Sequence, residues 1–333
     1  MNPDHACGAD IAGRMKNEGE DAPAVGRDGG ESLSQRRRRL WALQFKAAPY
    51  LFILPFLLLF CCFLLYPLVL SVVMSTQQFA GPRLHRFRGL ENYAFLLRDK
   101  LFWLAVANTL AFAVMFLSIQ IPCSLGLALL LNSKSVRFRN LFRFAFVSPF
   151  LVGHVFVAVI FMLLLAPRHG LVNKAIGVLL PWVGSDLNWK GNPNLALPAI
   201  VLAGLWLSIG YGMVYFLAAL QAVDRELYEA AEVDGAGRWG KFLHVTLPGI
   251  RPVLVFLVLV GTIGALQLFE LPYLFFQGPG PGLRGLTVVQ YLVMHGFDGG
   301  DLGLASAVGW VLVVFISAIA FVQLRVTGAT KEL

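Results

Sequence analysis

The stretch from Glu229 to Pro248 reads EAAEVDGAGRWGKFLHVTLP and separates two long apolar blocks of the chain. Within it, Gly235, Gly237 and Gly240 match GxGxxG, the pattern of a dinucleotide-binding turn. The same glycines belong to GAGRWGK, which matches most of a phosphate-binding loop, GxxxxGK. The first question is therefore whether these glycines hold a nucleotide or shape a loop of another kind.

Neither nucleotide-binding pattern fits its surroundings. A phosphate-binding loop needs Ser or Thr directly after the lysine to hold Mg²⁺, and here Phe242 follows Lys241. A dinucleotide-binding turn needs a strand before it and an acidic residue about 20 positions further on. An apolar helix is predicted on either side instead, and Val260 lies inside the second one. We therefore predict that this chain binds no nucleotide, and nothing else in the sequence indicates a cofactor.

The composition indicates a membrane protein. Of the 333 residues, 57% are hydrophobic and 14% are charged, and the mean hydropathy is +0.70. The apolar residues form six blocks, each long enough for the roughly 20 helical residues that cross a hydrocarbon core. The sequence predicts an all-α integral membrane protein with a transmembrane domain at 47–326 and spans near 51–75, 104–131, 144–166, 196–220, 252–275 and 303–325. One further apolar piece, Gly285–Met294, is too short to span and predicts a re-entrant or interfacial segment.

Lysines and arginines near the ends of the spans predict the orientation. Arg36–Arg39 and Lys46 precede the first span, so both termini are predicted to be cytoplasmic after six crossings. Residues 1–46 are predicted to be a disordered cytoplasmic tail that ends in this basic cluster, and residues 327–333 a short cytoplasmic tail. Five basic residues run against the rule, in a loop assigned to the outside: Arg83, Arg86, Arg88, Arg98 and Lys100. We therefore interpret the net charge of +8 mainly as a consequence of how the chain is oriented in the membrane. The sequence shows no clustered basic face of the kind that binds nucleic acid.

Polar residues within the spans are the candidates for a substrate path, because ionisable groups at membrane depth are costly and usually functional. Glu270 is predicted near the outer end of the fifth span, with Gln267 one turn earlier on the same helix face. Tyr211 and Gln290 complete this set of candidates.

The sequence offers no pattern for catalysis or for a metal site. HExxH and GxSxG are both missing. His154 could in principle activate a serine, but Ser148 lies six residues away, a spacing that does not bring two side chains together on a helix. His154 is therefore predicted to make a helix contact or to line a pore. The four cysteines show neither zinc-type spacing nor a disulfide framework.

The segment 222–250 is predicted to fold as a helix-turn-helix between the fourth and fifth spans. Asp224 is a suitable N-cap, and apolar residues at helical spacing predict a short helix to about Asp234. Gly235 then ends this helix as a C-cap glycine. A second helical segment follows, and Pro248 is predicted to end it.

The composition of this segment favours docking to a cytoplasmic protein. Ala230 and Ala231 allow a partner's backbone to approach closely, and aromatic residues can anchor the contact. Glu226, Glu229 and Glu232, spaced three apart, can pair with basic residues across an interface. An amphipathic helix lying on lipid is the alternative, but such helices usually carry Lys and Arg on their polar face.

The same stretch resembles the EAA loop of binding-protein-dependent ABC importer permeases of the MetI-like type: EAA, three residues, Gly, nine residues, Ile, one residue, Leu-Pro. The spacing agrees throughout, and only Val245 replaces Ile. Other features resemble the carbohydrate-uptake branch of that family. Gly89–Tyr93 has the form GLxNY, and Phe269 with Glu270 takes the place of Phe-Asp. Gln277 departs from the first glycine of the family's Gly-Gly-Pro turn.

The resemblance implies a type I ABC importer permease fold in the bacterial cytoplasmic (inner) membrane. It implies that the residues coupling this chain to an ATPase are Glu229, Ala230, Ala231, Asp234, Gly235, Val245, Leu247 and Pro248. The implied partners are a second homologous permease, expected to be a different chain, two ATP-binding subunits that hold ATP and Mg²⁺, and an extracytoplasmic solute-binding protein. Membrane lipid surrounds the chain, and no nucleic acid is expected.

These features predict a permease subunit of an ATP-driven importer that moves a sugar or a related polar solute by alternating access. The ATPase activity would belong to a separate subunit. The alternative is an ion-driven secondary transporter acting alone, which the scarcity of carboxylates in the spans and the lack of a visible repeat disfavour. An intramembrane enzyme comes third, and would need two reactive groups at meeting distance.

Overall fold

A computed structural model describes residues 48–79, 85–133, 137–179 and 186–328. Several predictions lie outside the described residues: the tail 1–46 with its basic cluster, Arg83, and most of the tail 327–333. By its contacts the chain divides between Leu65 and Tyr66, and each of the two units is described by itself.

Most of the described chain is helical. The long helices are α1 (Ala48–Ser75), α3 (Lys100–Asn132), α7 (Pro193–Ala222), α9 (Arg238–Leu266) and α12 (Leu302–Thr327). The shorter helices are α2 (Glu91–Arg98), α4 (Arg139–Leu151), α5 (His154–Leu164), α6 (Leu171–Leu179), α8 (Arg225–Val233), α10 (Glu270–Phe276) and α11 (Val288–Val293). Strands β1 (Gln77–Phe79) and β2 (His85–Phe87) form an antiparallel hairpin.

Five described helices are long and apolar enough to cross a membrane: α1, α3, α7, α9 and α12. The bent pair α4 and α5 makes a sixth crossing if it counts as one span. In α1 the side chains of residues 48–65 are nearly all exposed, as expected of a surface that faces lipid or another chain. The prediction of an all-α chain with several apolar spans is confirmed at this level.

The third predicted span, near 144–166, is not a straight helix. α4 ends at Leu151, α5 begins at His154, and their axes are bent by 103°. Val152 between them is extended, and Pro149 lies in the last turn of α4. A proline has no N–H for the helical ladder, so helices bend or stop close to one.

The fifth predicted span, near 252–275, differs from the prediction at both ends. It begins earlier, because α9 already starts at Arg238, and it stops before Gln267. A new helix, α10, then begins at Glu270, with Pro272 in its first turn, where a missing N–H costs nothing. The prediction that Gln267 and Glu270 share one helix face is therefore wrong, because it assumed an unbroken helix.

The core of residues 66–328 is built around α7, the most buried of the long helices. One cluster packs one half of α7 against α3, α5 and α10, through side chains such as Ile200 and Phe275. A second cluster joins the start of α3 to α11 and α12 around the buried Tyr291. A third packs the other half of α7 against α3 and α9, with Phe216 and Ile250 fully buried.

The stretch Gly89–Tyr93 attaches α2 to the end of α1. The buried Asn92 donates from Nδ2 to the carbonyl oxygens of Ser75 and Gln77, at 2.8 and 2.9 Å. The hydroxyl of Tyr93 donates to Ser75 Oγ at 2.8 Å. These bonds hold the β1–β2 hairpin against the helical bundle.

Helices α4 and α7 are in close contact at Gly210. A Cβ atom there would lie 1.8 Å from the carbonyl oxygen of Phe146, so the backbones would have to move apart. We expect Gly210→Ala to destabilise the folded protein by about 1–3 kcal/mol, the usual cost of overpacking, seen as a lower melting temperature in detergent.

The matched control is Gly126→Ala in α3, where an added Cβ meets nothing within 4 Å. Alanine has the higher helix propensity, so this variant should melt at or slightly above the wild-type temperature. Equal melting temperatures for the two variants would contradict the close approach at Gly210.

Candidate functional site

The first candidate site is the loop that carries α8, between α7 and α9. None of the nine residues of α8 is buried. Four large apolar side chains on α8 and the start of α9 are exposed instead: Leu227, Val233, Trp239 and Leu243. Val233 and Trp239 expose 89% and 77% of their surface. Exposed apolar side chains beside the carboxylates of Glu229 and Glu232 have the composition of a protein-docking surface. We call this surface the docking loop, residues 222–250.

The two ends of α8 differ in how they are capped. Asp224 occupies the N-cap position, but its side chain makes no capping hydrogen bond in the described chain. At the other end Gly235 has a φ of +76°, and the N–H of Ala236 donates to the carbonyl of Ala231 at 2.9 Å. This is the Schellman arrangement, which needs a left-handed residue and therefore favours glycine.

Pro248 does not end the second helix of the docking loop, contrary to the prediction. α9 continues past it to Leu266. A π-turn, Phe242–Thr246, comes just before the proline, and the N–H of Leu247 donates to the carbonyl of Phe242. This wider turn accommodates a residue without an N–H, so the ladder resumes beyond it. The docking loop is thus joined directly to the helix of the fifth span.

The predicted coupling residues fall into two groups. Exposed are Glu229, Ala230, Asp234, Gly235 and Pro248, whereas Ala231, Val245 and Leu247 are half-buried. The exposed group lies where a partner could reach it, and the half-buried group packs within the loop.

Two side-chain contacts join α8 to α9. The hydroxyl of Tyr228 lies 3.0 Å from Oγ1 of the buried Thr246. Nζ of Lys241 lies 2.7 Å from Oε2 of Glu232, and this hydrogen bond and charge lower the pKa of the exposed Glu232 carboxyl. Water and salt screen an exposed ion pair, so the second contact stabilises the loop only slightly.

The second candidate site is a cavity of about 240 Å³ lined by α3, α4, α5, α7, α9 and the start of α10. Most of its wall is apolar, and its polar side chains are Gln120, His154, Ser208 and Tyr211. Glycines at 204, 261 and 264 line it, and a Cβ at Gly204 or Gly261 would press against Phe116 or Leu117 of α3. An apolar wall with a few polar groups is typical of small-molecule sites. We call this space the central cavity.

Aromatic rings and one unpaired acceptor give the central cavity its chemistry. Phe150 stacks on Tyr211 with ring centroids 4.9 Å apart, and Tyr215 follows Tyr211 at 4.8 Å. Oε1 of Gln120 is buried and has no hydrogen-bond partner among the described residues. A buried acceptor without a partner is costly unless something donates to it.

The breaks in the third and fifth spans meet at the edge of the central cavity. His154 and Glu270 are the first residues of α5 and α10, and His154 Nδ1 lies 2.8 Å from Glu270 Oε2. His154 lines the cavity, as do Leu268 and Leu271 on either side of Glu270. This contact was not predicted from the sequence, because the two residues were placed in separate straight spans. Pro149 and Pro272, which lie beside the two breaks, are the sequence features that could have indicated it.

Gln267 and Gln290 do not line the central cavity. Gln267 is exposed at the end of α9. Gln290 is buried in α11, which packs against α12 and α3, and its Oε1 has no partner among the described residues. Of the four predicted substrate-path residues, Tyr211 lines the cavity, Glu270 lies at its edge, and the two glutamines lie elsewhere.

The comparisons with known proteins give the family. Residues 120–329 match the family described as "Binding-protein-dependent transport system inner membrane component". This chain belongs to that family. The permease AraP of the arabinooligosaccharides transport system of Bacillus subtilis is 39% identical, over 86% of this chain and 90% of its own length. The permease LacF of the lactose transport system of Rhizobium radiobacter is 35% identical, over 82% and 92%.

A solved structure agrees with the family. The crystal structure of a bacterial ABC transporter involved in the import of the acidic polysaccharide alginate matches with a TM-score of 0.74 and 26% identity, over 87% of this chain and 99% of that chain. The protein is therefore a permease subunit of an ATP-driven ABC importer and a multi-pass membrane protein, and the resemblance to the carbohydrate-uptake branch is confirmed. It is a transport protein and not an enzyme, although His154 and Glu270 meet.

The turn at Gly235 gives a prediction that rests on backbone conformation alone. A Cβ there meets nothing within 4 Å, so a side chain is disfavoured only by the positive φ. We expect Gly235→Ser to destabilise the turn by about 1–2 kcal/mol and to speed proteolysis of the docking loop in the purified protein. Gly237→Ser is the control, because Gly237 is an N-cap with ordinary φ and nothing within 4 Å. Equal cleavage rates in the two variants would refute the turn's dependence on glycine.

Proposed function

We propose that this permease moves a sugar or short oligosaccharide inward across the bacterial cytoplasmic membrane by alternating access. A second, similar permease chain completes the pore. Two ATP-binding subunits hold ATP and Mg²⁺ and dock on the EAA loops, and an extracytoplasmic solute-binding protein delivers the solute. The names of the relatives, arabinooligosaccharide and lactose permeases, support the substrate class.

One observation carries the proposal: a single helix connects the docking loop to the central cavity. α9 has 29 residues, so it is roughly 43 Å long. Its first turns carry the exposed Trp239 and Leu243, and its last turns carry Gly261, Gly264 and Ala265 of the cavity wall. A displacement of the docking loop when the ATPase subunits close would therefore reach the cavity directly.

The proposed topology has six crossings, with α4 and α5 together as the third and α9 with α10 as the fifth. Both termini are cytoplasmic, and a domain of residues 47–326 is flanked by the tails 1–46 and 327–333. Arg251, in α9 near the docking loop, donates to the carbonyl of Thr327 at the end of α12. This bond supports the carboxyl-terminal end and the docking loop lying on the same side.

The proposed substrate path runs through the central cavity past Tyr211 and Glu270. The stacked rings of Phe150 and Tyr211 offer an apolar face of the kind that packs against a sugar ring. Gln120 lines the cavity, and its amide group can hydrogen-bond a sugar hydroxyl. Glu270, whose Oε2 lies 2.8 Å from His154 Nδ1, lies at the edge of this path and can accept further hydroxyl hydrogen bonds.

The docking assignment is tested by reversing one charge. Glu229 is exposed on α8, and a lysine there would place like charges together at an interface that uses the carboxylate. We expect Glu229→Lys to leave the permease inserted but to weaken copurification of the ATP-binding subunits by about tenfold or more. ATP-driven uptake of arabinooligosaccharides or lactose into reconstituted vesicles should fall with it.

Glu91→Lys on α2 is the control for that experiment. It makes the same charge change at an exposed carboxylate away from the docking loop, so copurification of the ATP-binding subunits should be unchanged. If Glu229→Lys transported as well as wild type, Glu229 would not be a coupling residue.

The substrate path is tested at Tyr211. Tyr211→Leu keeps an apolar side chain but removes the ring face, so we expect uptake to fall about two- to tenfold, the usual worth of one aromatic contact. Copurification of the ATP-binding subunits should be unaffected, which separates this defect from a docking defect. Tyr66→Leu, at an exposed tyrosine of α1, should transport normally. Equal initial uptake rates in both variants would remove Tyr211 from the path.

A further inference from the structure

The helix α8 cannot be held in place by core packing. None of its nine residues is buried, and it is connected to α9 through the turn at Gly235. Among the described residues, its side-chain hydrogen bonds to α9 are those of Tyr228 with Thr246 and of Glu232 with Lys241. A force that a partner applies to α8 can reach α9 through this turn and these two contacts.

The contact between Tyr228 and Thr246 joins two hydroxyls 3.0 Å apart, and either can donate to the other. Oγ1 of Thr246 also lies 3.3 Å from the carbonyl oxygen of Lys241, to which it can donate. Because a hydroxyl has one hydrogen to give, the Tyr228 hydroxyl is the donor to Thr246 whenever Thr246 donates to Lys241. The result is a chain of two hydrogen bonds that runs from α8 into the backbone of α9.

This chain enters α9 at its irregular turn. Thr246 is the last residue of the π-turn Phe242–Thr246, and only 6% of its surface is exposed. A π-turn lacks the regular α-helical ladder, so it is the part of α9 that can bend most easily. A bond made there controls whether movement of α8 bends the turn or displaces the whole helix.

The two side-chain contacts differ in strength. The Glu232 carboxylate is exposed, so the ion pair with Lys241 is screened and easily replaced by water. Thr246 is buried, so loss of its partner leaves a hydroxyl with poor access to water. The hydroxyl contact is therefore the stronger of the two.

We propose that the hydrogen bond between the hydroxyls of Tyr228 and Thr246 transmits movement of α8 to α9, the helix of the fifth span. We call this hydroxyl pair the joint. Tyr228 and Thr246 are then positioning residues for ATP-driven transport. The inference rests on the proposed function, because it takes α8 to be the helix that docks the ATPase. Without the joint, α8 pivots on the Gly235 turn, and ATP is hydrolysed with less movement of the cavity wall.

The test uses the complete importer in vesicles: this permease, its partner permease, the ATP-binding subunits and the solute-binding protein, with lactose or an arabinooligosaccharide as the probe. The quantity measured is solute taken up per ATP hydrolysed. Tyr228→Phe and Thr246→Val each remove one hydroxyl and little else. We expect each to lower this ratio about two- to tenfold, the range for one hydrogen bond.

Comparing the uptake ratio across variants shows whether the Tyr228–Thr246 bond transmits movement or only stabilises the loop. The double variant should be no worse than either single one, because both remove the same bond. Thr246→Ser keeps the hydroxyl and should restore the ratio. The KM for the loaded binding protein and the copurification of the ATP-binding subunits should stay at wild-type values. Tyr66→Phe, which removes a tyrosine hydroxyl at an exposed position of α1 outside the docking loop, is the matched control and should leave the ratio unchanged.

Two results would overturn the inference in different ways. An unchanged ratio in both single variants, with an active wild type, removes the joint and leaves the proposed function intact. Defects of the two singles that add in the double variant also remove it, because the hydroxyls would then act independently. If the wild-type assembly shows no ATP-dependent uptake of either probe, the proposed function fails and the joint fails with it.

Discussion

A helix that crosses a membrane has to satisfy its own backbone hydrogen bonds, because the hydrocarbon core offers no water to replace them. Each proline removes one N–H from that ladder, and beside four of its prolines this permease accommodates the loss in two ways. A π-turn precedes Pro67 in α1 and another precedes Pro248 in α9, and both helices continue. Beside Pro149 and Pro272 the chain instead stops one helix and starts another.

These irregular places coincide with the candidate sites. The two breaks bring His154 and Glu270 to the edge of the central cavity, and the π-turn of α9 contacts α8 of the docking loop. Non-helical backbone at membrane depth is tolerated where protein or a cavity surrounds it, so breaks and cavity are expected to occur together. The regular part of α9 between them is the element that connects one site to the other.

Much of the fold could be predicted from local sequence, because hydropathy and capping depend on near neighbours. The apolar blocks gave the long helices, and the glycine at 235 gave the turn after α8. The 103° bend and the His154–Glu270 contact could not be predicted this way. Pro122 lies within the continuous α3 while Pro149 precedes a break, so the effect of a proline depends on the helices packed around it.

The two candidate sites also differ in how far the local sequence predicts them. The docking loop was predicted from a local pattern with fixed spacing. The turn at Gly235 agrees with that pattern, whereas the continuity of α9 through Pro248 was not predicted. The central cavity is made by side chains from five helices and the start of a sixth, and Gln120 and Ser208 carried no local feature that set them apart. Contacts between spans depend on which helix faces meet, and a single sequence does not contain that information.

The connection between the two sites also involves the last span. α9 is tied to α12 at two levels, by Arg251 to the carbonyl of Thr327 and by Gln323 Nε2, which donates to Thr262 Oγ1 at 2.8 Å. The first bond places a cation at the carboxyl-terminal end of α12, where the helix dipole favours it. The second lies 11 residues further along α9, about 16 Å away. Because both bonds would have to break for α9 to slide alone, a displacement of the docking loop has to move α9 and α12 together against the buried α7.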